Sequence, residues 1–278
     1  MCIRDRSTYA ADALTESGKV IQLPSTHLLG TNFSKPFNVK FIDKDGKEKF
    51  GYITCYGPAI SRIYGAMIAI LGDDKGLVLP FDLAPVQIVI VPIIFKGKDK
   101  KVLEATKMVY NKLKNKFSVK VDERDIAAGE KFNEWELKGV PLRLEIGPKD
   151  VDNEQVIAVN RFTKQKQAVK LSSLEKFVKE YSQTFTAKLR EKKLIEFSKL
   201  IVKTKTVEEI KKAIDNKMVA ACGICSIGMD GYKCAEIIEK SSNGLVRGKK
   251  VDKENIKFDK CVVCGKPAKE TVYVAKSY

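Results

Sequence analysis

Residues 86–121, VQIVIVPIIFKGKDKKVLEATKMVYNKLKNKFSVKV, carry two hydrophobic patterns in succession. Val86–Ile94 is an almost continuous apolar run, as expected of a strand buried on both faces. Lys101–Lys116 then places Val102, Ala105, Val109 and Leu113 along one side of a helix. Phe117–Val121 returns to a strand pattern. Together they make a βαβ unit and predict an α/β layer. The longest apolar stretch, Leu83–Phe95, is shorter than the ~18–20 residues a membrane span needs and contains Pro85 and Pro92. It reads as part of the same buried strand.

Downstream, Leu142–Ile146 and Gln155–Asn160 are two more strands. Ser172 with Glu175 has capping-box spacing and opens a long helix to about Leu200. Thr206 with Glu209 repeats the signature for a shorter helix. From about Lys217 the chain has clustered cysteines and short strands, ending with Thr271–Ala275. Upstream, Val39–Ile42 and Phe50–Cys55 flank a hairpin turn at Asp45-Gly46. Gly57-Pro58 precedes a helix over Ala59–Leu71, with Pro58 in its first turn and Ile60, Ile63, Tyr64, Met67 and Ile70 on an apolar stripe. This upstream part reads as the end of a layer, not a complete domain. The first seven residues, MCIRDRS, resemble nothing that opens a folded domain, and the true start is expected upstream.

The chain has 278 residues, enough for two or three domains, and its 44% hydrophobic content supports packed cores rather than disorder. Its net charge of +16 is unevenly spread. Residues 1–80 carry 10 − 8 = +2, residues 81–190 carry 22 − 15 = +7, and residues 191–278 carry 19 − 12 = +7. The basic surface therefore belongs to the last two thirds and points to a polyanionic partner.

Five of the seven cysteines fall between Cys222 and Cys264. Cys222-x-x-Cys225 and Cys261-x-x-Cys264 are knuckle-like pairs, with Gly223 and Gly265 allowing tight turns, and Cys234 is a fifth candidate. Any four of the five would suit a closed, structural zinc site in a reducing compartment such as the cytoplasm. Buried free thiols are the alternative. The single histidine, His27, lies among Gln22, Ser25, Thr26 and Asn32, polar groups suited to a small ligand. Cys55 is a nucleophile by type but falls in a strand pattern that predicts burial. Arg62 is the one charge between Ile53 and Leu71, on a helix that reads as buried, so it must meet a carboxylate or an anionic ligand. Gly72-Asp-Asp-Lys-Gly76 lacks the arrangement of a phosphate-binding loop. Gly129–Gly139 combines Phe132 and Trp135 with alternating charge. It is either a single-stranded RNA platform or an amphipathic helix, and spacing alone favours the helix.

Read together, Ser25-Thr-His-Leu-Leu-Gly-Thr-Asn-Phe33, then Gly57, Arg62 and Gly72-Asp-Asp-Lys-Gly-Leu-Val-Leu-Pro80, then GEKFNEWELKGVPLRLEIGPKD (129–150) and the terminal VYVAKSY (272–278), have a familiar order. The chain after its first seven residues resembles the C-terminal part of the prolyl-tRNA synthetase family, in its archaeal/eukaryotic-like class II form. The resemblance implies three parts: the end of an antiparallel class II catalytic domain (8–80), an α/β anticodon-binding domain with a mixed sheet (81–190), and a small α/β zinc-binding C-terminal domain (191–278). It implies that Gln22, Ser25 and His27 line an ATP and proline pocket, and that Arg62 is the motif 3 arginine on the ATP phosphates. It implies that Phe132, Glu136 and Arg143 read the anticodon, which lifts the RNA reading of 129–139 above the core-helix reading. In the family, the carboxylate of a terminal tyrosine, here Tyr278, returns towards the catalytic region.

The implied activity is proline–tRNA ligation. Proline, ATP with Mg2+ and tRNA(Pro) are the substrates, Zn2+ is structural, the whole enzyme is a homodimer, and no membrane is involved. This chain departs from the family pattern at Leu23-Pro24 and in having Ser25-Thr26 where Thr-Ser is usual. Motifs 1 and 2 do not occur in it, so these 278 residues alone are expected not to aminoacylate. A second hypothesis is a stand-alone, zinc-stabilised tRNA-binding module, which upstream sequence would distinguish from the enzyme.

Overall fold

The computed structural model describes residues 7–94 and 99–278, with Asp99 described by its backbone. The first six residues of the expected leader lie outside it. The described chain forms two units, residues 7–70 with 197–278 and residues 71–196. The resemblance implies three parts, 8–80, 81–190 and 191–278. In the structure the first and last of these share a sheet.

The first unit opens with β1 (Ser7–Leu14), β2 (Lys19–Gly30), the hairpin β3 (Lys40–Ile42) and β4 (Glu48–Phe50), then β5 (Ile53–Gly57) and helix α1 (Ile60–Leu71). β1 and β5 both pair antiparallel with β2. The sequence pattern predicts neither β1 nor β2, and the alanine-rich Ser7–Asp12 segment of β1 is exposed and has no apolar alternation. The hairpin forms as expected. Helix α1 begins at Ile60, so Pro58 precedes it rather than lying in its first turn. Of the α1 residues only Ala66 is buried, and Ile60 and Tyr64 of the predicted stripe are exposed.

The second unit contains β6 (Ile88–Pro92), α2 (Asp99–Leu113), β7 (Val119–Val121), α3 (Ala128–Leu137), β8 (Leu142–Ile146), α4 (Pro148–Asp152), β9 (Gln155–Asn160), β10 (Lys166–Lys170) and most of α5 (Leu174–Lys199). Its sheet runs β10-β9-β8-β6-β7. β6 is parallel to both β7 and β8, while β9 is antiparallel to β8 and β10, so the sheet is mixed. Every residue of β6 is buried, as the apolar run requires. Its alternation sends Ile88 and Ile90 into the core with α2 and α5, and Val89 and Val91 against Trp135 on α3. The same alternation in β8 gives Leu142, Leu144 and Ile146 to the larger core. Arg143 and Glu145 go to the α3 face. Helix α5 starts at Leu174, with Phe177 N–H donating to Ser173 O at 3.0 Å. Its N-terminal flank is therefore Ser173, not Ser172, and Glu175 pairs instead with Lys116.

The first unit resumes with β11 (Ile201–Lys203), α6 (Val207–Asp215), β12 (Val219–Ile224), α7 (Tyr232–Ser242), β13 (Leu245–Gly248) and β14 (Glu270–Ser277). β11–α6–β12 is a parallel crossover. Thr206 Oγ1 accepts the Glu209 N–H at 3.1 Å, the expected cap, although Glu209 reaches back to the Lys205 N–H rather than to that of Thr206. β14 pairs with β12 and β13, then runs parallel to the start of β2 through Lys276↔Lys19 and Ser277↔Val20. Among the described residues no helix is long and apolar enough to cross a membrane.

Candidate nucleic-acid and metal sites

Helix α3 and strand β8 bring the three residues expected to read RNA together. The Arg143 guanidinium lies 4.1 Å from the centroid of the Phe132 ring, a cation–π stack. Arg143 Nε donates to Glu145 Oε1 at 3.0 Å and Nη1 to Glu136 Oε1 at 3.4 Å. Lys166 closes the group, 3.2 Å from Glu145 Oε2. A guanidinium this buried needs such partners, since desolvating a lone charge costs several kcal/mol. Trp135 is 4% exposed and donates its indole N–H to Asp122 Oδ2 at 2.7 Å. It is therefore core and cannot stack on a base. The segment is an amphipathic helix that packs Trp135 into the core and leaves Phe132 and Glu136 half-buried at its rim. Arg124 grips the Asp122 carboxylate with Nε and Nη2 at 2.8 and 2.7 Å, and its hydrogen bonds hold that carboxyl well below the usual range. A shallow hollow lined by Trp135, Glu136, Val140, Arg143, Val159 and Arg161 opens beside the stack.

Strand β2 carries the second candidate set. Ser25 Oγ lies 3.0 Å from His27 Nε2, and Thr8 Oγ1 on β1 lies 3.1 Å from Nδ1. A neutral imidazole donates at one nitrogen and accepts at the other, and a hydroxyl satisfies either role. Gln22 and Ser25 are an odd number of residues apart and would face opposite ways in a regular strand. Here Asp12 pairs with Gln22 and Ala10 with Ser25, so β2 holds one extra residue at Leu23-Pro24. This bulge brings Gln22 to the face of Ser25 and His27, and proline is tolerated there because the ladder is already broken. Arg62 is exposed rather than buried, because α1 buries little besides Ala66, so the desolvation reason for a partner does not apply. Its Nη1 nonetheless donates to Gln22 O at 3.1 Å, which attaches it to the same strand. Cys55, expected to be buried, is exposed and pairs in register with His27.

The third set is a cluster of thiols. Sγ atoms of Cys225, Cys234, Cys261 and Cys264 all lie within 4.8 Å of one another, and those of Cys225 and Cys234 are 3.7 Å apart. Cys222 is the candidate that is excluded. On β12 the alternation of Ala220, Cys222 and Ile224 turns its side chain into the core under α6 and α7. Burial pushes its thiol up to about 12. Cys225 lies one residue past the strand end, and Cys234 comes from α7. The other two flank a turn in which Cys261 N–H donates to Lys266 O at 2.8 Å and Gly265 N–H to Cys261 O at 3.1 Å. Burial works against ionising Cys261, but N–H groups around Cys264, Val263 and Cys225 outweigh it and bring the thiol down to about 7. Gly223 does not turn around the cluster. It lies within β12, where a Cβ would fall 2.6 Å from Lys260 O. Tetrahedral zinc with Zn–S of ~2.3 Å needs sulfurs ~3.8 Å apart, so the four donors fit such an ion.

Residues 87–181 match the family model described as "Anticodon binding domain", and residues 207–278 match "Prolyl-tRNA synthetase, C-terminal". A proline–tRNA ligase of Thermofilum pendens is 41% identical over 98% of this chain, which covers 56% of that protein. A solved prolyl-tRNA synthetase of Cryptosporidium parvum, in complex with halofuginone and AMPPNP, superposes with a TM-score of 0.92 at 31% identity, over 99% of this chain and 58% of its own. A Giardia lamblia prolyl-tRNA synthetase in complex with prolyl-adenylate gives a TM-score of 0.90 at 29% identity, over 99% of this chain and 59% of its own. The chain thus spans a little over half the length of the relatives it matches.

Proposed function

Because this chain belongs to the prolyl-tRNA synthetase family, we propose that the protein it is part of is a proline–tRNA ligase. That enzyme activates proline with ATP to prolyl-adenylate and transfers the prolyl group to tRNA(Pro). One observation carries the reading furthest: the Arg143–Phe132–Glu136 arrangement lies inside the segment that matches an anticodon-binding domain. An aromatic ring, a guanidinium and a carboxylate in contact are the groups that stack on bases and hydrogen-bond their edges. Gln22, Ser25 and His27 line the ATP and proline pocket on one face of β2. The hydroxyls on either side of the imidazole set its orientation, so it meets substrate without reorganising. Arg62 uses one of its five N–H donors on Gln22 O, and its remaining donors would bind the ATP phosphates. ATP enters as its Mg2+ complex.

Cys225, Cys234, Cys261 and Cys264 would hold a structural zinc ion. When bound, it cross-links β12, α7 and the Cys261–Gly265 turn and takes no part in the chemistry. The whole enzyme acts in the cytoplasm as a homodimer, and these 278 residues bind tRNA without charging it. In the full-length enzyme, Arg62→Ala should slow ATP–pyrophosphate exchange by about 100-fold or more, the loss typical of removing one charge-stabilising donor. Unchanged exchange would remove Arg62 from the site.

A further inference from the structure

The turn Gly72–Gly76 and the buried Arg161 have no role in the chemistry above, yet both converge on Glu136. The turn closes on itself, with Asp73 N–H donating to Gly76 O at 2.9 Å and Gly76 N–H to Asp73 O at 3.0 Å. Leu77 N–H then donates to the carbonyl of Leu137, the last residue of α3, at 3.0 Å. A Cβ on Gly76 would fall 2.5 Å from Leu137 Cα, so this approach requires glycine. Arg161, its side chain 1% exposed, completes the bracket. Nη1 and Nη2 donate to Asp73 Oδ2 and Oδ1 at 2.7 and 2.6 Å, and Nε donates to Glu136 O at 2.9 Å. Those hydrogen bonds hold the Asp73 carboxyl well below the usual range. Lys75 Nζ stands 3.8 Å from Glu136 Oε2, and Arg161 and Glu136 both line the hollow beside Arg143.

A bidentate guanidinium–carboxylate pair has one favoured planar geometry, so Arg161 fixes the Glu136 carbonyl in place and, through it, the direction of the side chain. We propose that Asp73 and Arg161 are positioning residues for RNA reading, holding Glu136 so that its carboxylate meets the N–H edge of an unstacked base in one orientation. The proposal rests on the reading of the α3–β8 face as the anticodon-reading surface.

The test measures binding of the 278-residue chain to two RNA hairpins by fluorescence anisotropy, alongside thermal unfolding. One hairpin carries a proline anticodon loop, and the other is identical except for a replaced anticodon. Asp73→Asn turns an amide N–H towards the guanidinium, and Arg161→Lys removes the fork while keeping the charge. Each should lower affinity for the proline hairpin about tenfold, within the range of one misplaced base contact, and leave the other hairpin's affinity unchanged, because phosphate contacts persist. Equal weakening on both hairpins, in step with a falling Tm, would mean a merely structural role and would overturn the proposal. So would unchanged discrimination in both variants. Glu136→Gln and Arg143→Lys separate the two levels. If these abolish discrimination while the Asp73 and Arg161 variants keep it, only the positioning role fails. If these also keep it, the reading of the surface fails. Should Asp73→Asn unfold at the assay temperature, Asp73→Glu keeps the charge and displaces it by one methylene. The same selective loss is then expected, and retained discrimination overturns the proposal.

Discussion

Replacing cysteines one at a time separates ligand from core. The widest pair in the Cys225, Cys234, Cys261 and Cys264 cluster lies within 4.8 Å, against the ~3.8 Å of a tetrahedral zinc–thiolate site, so it must close by about 1 Å. That is within the reach of side-chain rotation. Structural zinc sites bind with apparent free energies of ~10–16 kcal/mol, so losing one of four thiolates should cost on the order of 3 kcal/mol, roughly 100-fold in affinity. Cys222→Ala is a different perturbation. Its sulfur is fully buried among apolar side chains, so removal costs about 1–2 kcal/mol of transfer and cavity energy and leaves the cluster intact. The assay is the zinc-to-protein ratio after dialysis against a chelator of intermediate affinity, with thermal unfolding in parallel. The unsubstituted chain and Cys222→Ala should each retain one zinc, with a modestly lower Tm for the variant. Alanine at any of the other four positions should strip the metal. Loss of zinc from Cys222→Ala with retention in Cys225→Ala would refute the assignment and restore Cys222 as a ligand.

Trp135→Phe keeps the packing against Val89 and Val91 but removes the indole donor to the buried Asp122. It should destabilise the second unit by about 1.5–3 kcal/mol in urea unfolding, the range for a hydrogen bond to a charged group. Thr206→Ala removes the side-chain acceptor for Glu209 N–H and should cost about 1 kcal/mol in the same measurement on the other unit. The folded state depresses Asp122, so its contribution is fully present above the unfolded carboxylate pKa of ~3.9 and is lost as pH falls towards the folded value. The acid limb of stability should therefore be shallower in Asp122→Asn, as read from unfolding midpoints between neutral pH and about pH 2.

Where the signal is local, the sequence is legible. β8 and β9 appear at their predicted bounds, and α2, α5 and α6 lie within a few residues of theirs, because a period of two or 3.6 is written into successive residues. The Thr206 cap is legible for the same reason. β1 was not, since six of its residues are exposed and nothing in their pattern alternates. The exposure of α1 is not legible, because an apolar stripe shows that a face can be covered and not whether the described residues cover it.

By itself, then, the sequence determined the α/β character of the 71–196 unit, the basic last two thirds, the thiol-rich segment and the residue types suited to each site. Tertiary structure alone decided which of them meet. It chose Cys234 over Cys222, because strand alternation points one sulfur into the core while α7 delivers the other to the cluster. It aligned Gln22 with Ser25 and His27 through a bulge that is visible only against the partner strand. It joined Arg62 to Gln22 across 40 residues and Asp73 to Arg161 across 88. The physical reason is range: helices, strands and caps are set by neighbours a few residues away, whereas a site is assembled by strand register and packing between segments far apart in the chain.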